Sequence, residues 1–476
     1  MMNPHKTTAG SSVAVRSQLL EFDTTTSMTP IRRRAMILIA LGEFLDGYDL
    51  ISIAGALLLL HSQFHLTPSQ TGLLGAGAFF GAALGLLIAG DVADRIGRRI
   101  VFVYNFWFFA VLSLASAFVI GYTQLLVVRV LLGVAIGADI ATSMTLLGEI
   151  APRHSRGGWT GAVPQVAWTL GALVSLAIAL FLLEAVGAQA WRWMFGLGAI
   201  PAIVILLGRR TLPESPRWLL SRGRIAEAEA AMRLFGISPR GQVDTAGPAA
   251  SHPAADVNPV TRGSYLDIFR APYTRQAWLA IVIVGFTPLV GASASVVGPY
   301  VIHFVGLLGP IAALKGGMLI WIGGLIGSIV AFLTIDRIGR IWSTVISLWG
   351  CAVCMGLLIL LVKLPVLFVV VYAVFGAMIW FGASSFWVLP TELLPTHLRA
   401  RAQGLGNGLA RFMVGLTTWI VPTGIATLGF AGTFLTLGAC GFLIGLYALT
   451  GLRFEPKGRD LDELAPDLPV TAASSD

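Results

Sequence analysis

Gly90-Asp91-Val92-Ala93-Asp94-Arg95-Ile96-Gly97-Arg98-Arg99 returns in shortened form as Asp336-Arg337-Ile338-Gly339-Arg340, with Asp336 lying 242 residues after Asp94. Each copy closes one long apolar run and opens the next, so each reads as a tight polar turn between two apolar segments. A second pair repeats at nearly the same distance. Glu149-Ile150-Ala151-Pro152-Arg153-His154-Ser155-Arg156 and Glu392-Leu393-Leu394-Pro395-Thr396-His397-Leu398-Arg399 begin 243 residues apart. Glu214 and Glu455, each just beyond the last apolar run of its half, are 241 apart. Acid- and arginine-bearing loops at one near-constant spacing make the chain a parallel repeat of two halves.

Around these loops the chain is apolar. Of 476 residues, 56% are hydrophobic and 12% charged, and the mean hydropathy is +0.81; soluble domains run near 45–50% apolar and about 25% charged. Windows of about 20 residues, enough to cross the hydrocarbon core, cover 35–60, 70–90, 100–120, 122–147, 160–184, 189–208, 277–305, 309–334, 342–361, 365–388, 404–427 and 429–451. They are continuous rather than alternating, which selects helices over a barrel. The expected fold is an all-α integral membrane protein with twelve transmembrane helices in two six-helix bundles, 31–208 and 277–451. The remainder is a disordered tail at 1–30, a linker with short helices at 209–276, and a tail at 452–476.

The net charge of +8 does not mark a nucleic-acid binder, because of where it sits. Arginines crowd Arg32–Arg34, Arg95–Arg99, Arg153–Arg156, the segment 209–275, Arg337–Arg340 and Arg399–Arg401, in every second loop. Lys and Arg mark the cytoplasmic side, so both termini are expected inside a plasma (inner) membrane crossed many times. No small-residue cleavage site precedes the first span, so no cleaved signal peptide is read. Cys351, Cys354 and Cys440 lie in apolar spans and read as buried thiols. No phosphate-binding Gly-x-x-x-x-Gly-Lys-Ser/Thr loop is present, and no metal-ligand spacing appears. No cofactor is expected.

With these loops in place, the Gly90–Arg99 turn resembles the signature loop of the major facilitator superfamily. Arg129-x-x-x-Gly133-x-x-x-Gly137, Pro213-Glu214-Ser215-Pro216-Arg217-Trp218 and the Pro390–Pro395 run are similar to its sugar-porter and metabolite-symporter branches. The resemblance spans about 30–455 and implies two bundles rocking about a midplane site, with no enzymatic chemistry. It implies gating roles for Gly90, Asp94, Arg95, Gly97, Arg98, Glu149, Arg156, Glu214, Asp336, Arg337, Glu392 and Arg399. In particular, Arg98, Arg156 and Arg399 would pair with Glu149, Glu392 and Glu214 and hold the inner gate shut. Gly90 would let two helices approach closely.

The first span carries Glu43, Asp46 and Asp49. Carboxylates inside a membrane helix are expensive, by a few kcal/mol each, so they face a cavity, hold a proton or meet a partner. Glu43, near the inner end, is open to two readings, a core acid or a snorkelling one. Gly47-Tyr48-Asp49 is similar to the Gly-Tyr-Asp of proton-coupled sugar porters, where the aspartate titrates opposite an arginine in span four, here Arg129. Asp46 and Asp139 join Asp49 and Arg129 as expected proton-coupling residues. Gln165, Ser293, Trp387 and Arg411 are the expected substrate contacts; Arg411 either receives an anion or pairs with a core acid such as Asp139. Span seven departs from sugar porters: Thr287-Pro288-Leu289-Val290-Gly291-Ala292-Ser293 lacks the paired amides that bracket sugar hydroxyls.

The expected function is proton-coupled uptake of a small organic anion or polar metabolite by alternating access, in a monomer, with the small molecule, protons and the bilayer as partners. Two alternatives stay open. One is a proton:sugar or polyol symporter or uniporter. The other is a membrane nutrient sensor, which the short tail after 452 does not favour.

Overall fold

A computed structural model describes residues 22–23, 28–152, 159, 163–239, 268–269, 273–304, 309–394 and 396–455. Span one is Pro30–Gln63, span two Pro68–Ile96, span three Arg98–Ser116, span four Tyr122–Ile150 and span five Val163–Val186. Span six comprises Ala190–Gly196 and Ala199–Arg209, and span seven Thr274–Ser295 and Gly298–Phe304. Spans eight, nine and ten are Pro310–Ile338, Arg340–Leu360 and Pro365–Leu393. The last two share the run Thr396–Leu449, divided at Gly429 (φ +73°).

Nine segments among the described residues are long and apolar enough to cross a membrane. Two of these, Val163–Arg209 and Ala402–Leu449, each fold as a pair of spans. Span one falls outside that set because its three acids interrupt an otherwise apolar helix. Counting it and both pairs gives the twelve expected. Large apolar side chains such as Phe108, Phe181, Leu333 and Val366 stand exposed on the outer surface, an arrangement stable only where hydrocarbon replaces water.

Helix starts are specified locally. Thr29 accepts a hydrogen bond from Arg32 N (3.2 Å) ahead of Pro30, and Thr67 and Gln70 form a reciprocal capping box ahead of Pro68, which satisfies otherwise orphaned amides. Between the halves, short helices occupy Pro216–Ser221 and Ile225–Phe235. Phe22–Asp23 pairs antiparallel with Ser238–Pro239, so part of the segment read as a disordered tail is held against the linker.

Within the first half, span one packs on span five and span two on span four. Their counterparts in the second half, spans seven and eleven and spans eight and ten, pack likewise. Across the halves, span two meets span eleven and span five meets span eight. Spans two and eleven touch at the end remote from the arginine-rich loops, where Trp419 Nε1 donates to Ser69 Oγ (3.1 Å). Near the same end, His61 of span one meets the ring of Tyr300. Towards the basic end a Cβ at Gly408 would still lie 3.5 Å from Leu87, whereas one at Gly90 or at Gly404 would meet nothing within 4 Å among the described residues. Gly90 therefore does not provide the close helix approach expected of it.

Candidate functional site

Two glycines set span one into the core. A Cβ at Gly47 would fall on the carbonyl of Trp168, and one at Gly171 on the carbonyl of Phe44. This reciprocal contact presses spans one and five together, as small residues permit in membranes, and leaves Glu43, Asp46 and Asp49 buried at 4%, 0% and 1% exposure. Glu43 does not snorkel.

Asp49 meets Arg129, as expected. Arg129 Nη1 donates to Asp49 Oδ2 (2.7 Å) and Nη2 to the Asp49 carbonyl (3.2 Å). The guanidinium lies 5.2 Å from the Phe195 ring, and its Nε is buried with no hydrogen-bond partner among the described residues. Such an orphaned donor costs about 1–3 kcal/mol.

Asp139 does not pair with Arg411. It forms an ion pair with Arg209, the last residue of span six, and also accepts from Asn105 Nδ2 (3.2 Å) and Ser143 Oγ (2.9 Å). Arg209 donates further to the carbonyls of Phe102 and Leu38 (3.2 Å each) and stacks on Phe102 and Phe106, 3.7 and 4.4 Å from the ring centres. The sequence reading placed Arg209 at the start of the linker; it is fully buried.

A cavity of about 140 Å³ lies between the halves. Glu43, Gln165, Trp168, Trp380, Asn407 and Arg411 line it, with Phe79, Thr287 and Pro288 among mostly apolar neighbours. Arg411 makes no ion pair within 4 Å among the described residues. Its guanidinium sits 5.8 Å from the Trp168 ring and in the field of Glu43 and Asp46. Glu43 Oε1 and both carboxylate oxygens of Asp46 have no hydrogen-bond partner among the described residues. Trp168, Trp321 and Trp380 form a triangle with centroids 5.3, 5.4 and 5.4 Å apart, joining span five to spans eight and ten. Of the expected substrate contacts, Gln165 and Arg411 line the cavity. The side chains of Ser293 and Trp387 lie outside the described residues.

Of the three ion pairs expected at the gate, Arg98–Glu149 is present; the arginine side chains of the other two lie outside the described residues. Arg98 pairs with Glu149 and lies 3.7 Å from Asp94, and Glu149 accepts from Ser215 Oγ (2.6 Å). Glu214 makes no ion pair with an arginine within 4 Å among the described residues; its carboxylate accepts from the backbone N of Arg99 (3.0 and 3.1 Å) and caps span three, where the helix dipole favours an anion. Gly97, at φ +112°, supplies the turn that brings this about. The carbonyls of Asp94 and Arg95 accept from Arg222, and Asp94 also from Trp218. The second half repeats the device: Glu455 caps span nine through Arg340 N and Ile341 N (2.8 and 2.9 Å), and Gly339 stands at φ +99°. Glu392 takes a bidentate pair from Arg340 (2.9 Å twice). The pairs among the described residues brace each bundle at its basic end. Arg156 and the side chains of Asp336 and Arg399 lie outside the described residues; Arg337 is exposed at the turn.

Sequence reasoning missed Arg209, Arg340 and the tryptophan triangle. Arg340 stands at the repeat offset from Arg98 and was open to detection. The tryptophans carried no local signal.

The family model described as "Sugar (and other) transporter" matches residues 35–468. The putative metabolite transport protein YaaU of Escherichia coli (strain K12) is 32% identical over 440 residues, covering 90% of this chain and 93% of that one. The probable metabolite transport protein CsbC of Bacillus subtilis (strain 168) is 31% identical over 448 residues, with coverage of 90% and 93%. Among solved structures, the xylose transporter XylE from E. coli, in a partially occluded inward-open conformation, matches with a TM-score of 0.70. That match has 21% identity over 90% of this chain and 99% of that one. A further XylE structure is described as a major facilitator superfamily proton:xylose symporter. The chain is a multi-pass membrane transporter and not an enzyme, and it belongs to the sugar (and other) transporter family.

Proposed function

We propose that the protein is a proton-coupled symporter that takes up a small organic anion by alternating access. The supporting observation is Arg411: a guanidinium on the wall of the cavity between the halves, with no ion pair within 4 Å among the described residues. A fixed cation that cannot give up its proton is a natural anchor for a carboxylate. Trp168 and Trp380 offer flat apolar faces beside it, and Gln165 and Asn407 offer amides for further polar groups. Asp49, paired with Arg129, carries the transported proton: neutralising the carboxylate removes the attraction between spans one and four, which links proton binding to rearrangement of the bundle. Asp139 serves as a brace held by Arg209. The arginine-rich loops support a cytoplasmic location for the basic face and for both termini.

Proton:sugar symport is the second reading. The relatives favour it, including one named arabinose-proton symporter from Bacillus subtilis, as do the amides of Gln165 and Asn407; the missing amides of span seven oppose it. Binding to Arg411→Ala separates the two. Loss of one charge-assisted contact of about 1.5–3 kcal/mol should weaken a carboxylate roughly ten- to a hundredfold and leave a neutral sugar nearly unaffected. Unchanged carboxylate affinity would sink the anion assignment.

A further inference from the structure

Around the cavity, charges among the described residues do not balance. Leaving aside Arg32 and Glu149, buried at the basic ends of spans one and four, four carboxylates, Glu43, Asp46, Asp49 and Asp139, stand with three guanidiniums, Arg129, Arg209 and Arg411. Two ion pairs, Asp49–Arg129 and Asp139–Arg209, cancel. Glu43, Asp46 and Arg411 remain, two acids for one cation. The charged groups facing the acids from neighbouring spans are Asp139, Arg411 and Arg209. Because Asp139 and Arg209 neutralise each other, only Arg411 is left to compensate them; span five presents the uncharged Gln165 and Trp168 on this side.

We propose that Glu43 and Asp46 together form a second proton site, which supplies the counter-charge of Arg411 and yields it to an incoming anion, so that one monovalent anion binds with one proton. This rests on the reading of Arg411 as the anchor of the anion. An uncompensated charge in a low-dielectric interior is costly, so the neutral arrangements dominate. Without substrate, one acid is ionised beside Arg411 and the other holds a proton. With a carboxylate on Arg411, both acids hold protons. The two states differ by one proton, taken from solution onto a carboxylate oxygen; no other bond changes. Glu43 lines the cavity and receives that proton, while Asp46, one helical turn further along span one, lies behind the wall with neither oxygen hydrogen-bonded among the described residues. Either acid can serve, since each lies in the field of Arg411.

The test uses the full chain purified in detergent, with lactate, benzoate, gluconate and shikimate as probes. Binding is read from tryptophan fluorescence and proton uptake from an indicator dye in weak buffer. The wild type should take up about one proton per anion bound, with affinity falling roughly tenfold per pH unit above neutrality. Glu43→Gln and Asp46→Asn should each retain that proton, because the remaining acid still exchanges with the anion. The double variant should bind the anion with no proton uptake and no pH dependence. It should also melt at a lower temperature without ligand, and adding Arg411→Gln should restore the melting temperature. An anion that binds the wild type without a proton, loss of uptake in one single variant alone, or persistent uptake in the double variant each overturns the proposal. Failure of all four anions, with a neutral sugar binding instead, has a different signature and removes the anion reading beneath it.

Discussion

Breaking the Asp139–Arg209 pair from either side should cost stability unequally, and the inequality should depend on pH. In Asp139→Asn, Arg209 keeps the carbonyls of Phe102 and Leu38 and the two phenylalanine faces but loses its only anion among the described residues. Arginine cannot shed its proton, so the full penalty of a broken buried pair applies, about 3–5 kcal/mol. In Arg209→Gln the stranded group is a carboxylate, still served by Asn105 and Ser143 at 3.2 and 2.9 Å, and it can be neutralised. Protonation relieves the stranded charge, and each unit of falling pH lowers its cost by about 1.4 kcal/mol. The deficit of Arg209→Gln should therefore shrink from pH 7 to pH 5, by up to about 2.7 kcal/mol, since falling pH favours the neutral acid. That of Asp139→Asn should stay flat, and the double variant should recover most of the loss. Thermal unfolding in micelles, followed by a thiol-reactive dye reaching the buried Cys351 and Cys354, reads all three. Equal, pH-independent losses in both single variants would refute the reasoning.

Gly97→Ala and Gly339→Ala should each destabilise by about 1–3 kcal/mol through backbone strain, because both positions have positive φ. A Cβ there would also crowd the carboxylates of Glu214 and Glu455 at about 3 Å; an unchanged melting temperature in either variant would contradict this account of the turns. Gly47→Ala should push span one off span five at the Trp168 carbonyl, with an overpacking cost of about 1–3 kcal/mol and loss of probe binding in the cavity, so wild-type affinity would argue against that contact as the feature positioning the acids.

The spans were legible because a membrane imposes length and apolarity on every crossing, and the halves because the loops repeat. Span one was the exception by composition: its acids, which reveal the site, weaken its signal as a membrane helix. Asp49 with Arg129 was readable through a motif. Arg209 was not, because it ends an apolar run beside Arg210 and resembles an ordinary cytoplasmic anchor. Its burial depends on Asp139, 70 residues earlier. Trp168, Trp321 and Trp380 look like core aromatics in three separate helices, and only packing across the halves brings them together. Glu214 and Glu455 were correctly singled out by spacing, but their caps on spans three and nine required the positive-φ turns at Gly97 and Gly339 to be seen in three dimensions.

The most direct test of proton-coupled anion uptake is proton movement into proteoliposomes bearing the wild type or Asp49→Asn, on adding a panel of carboxylates and neutral sugars. The account expects external alkalinisation triggered by a carboxylate and abolished in Asp49→Asn. A response to sugars alone, or substrate counterflow without any proton movement in the wild type, would contradict it.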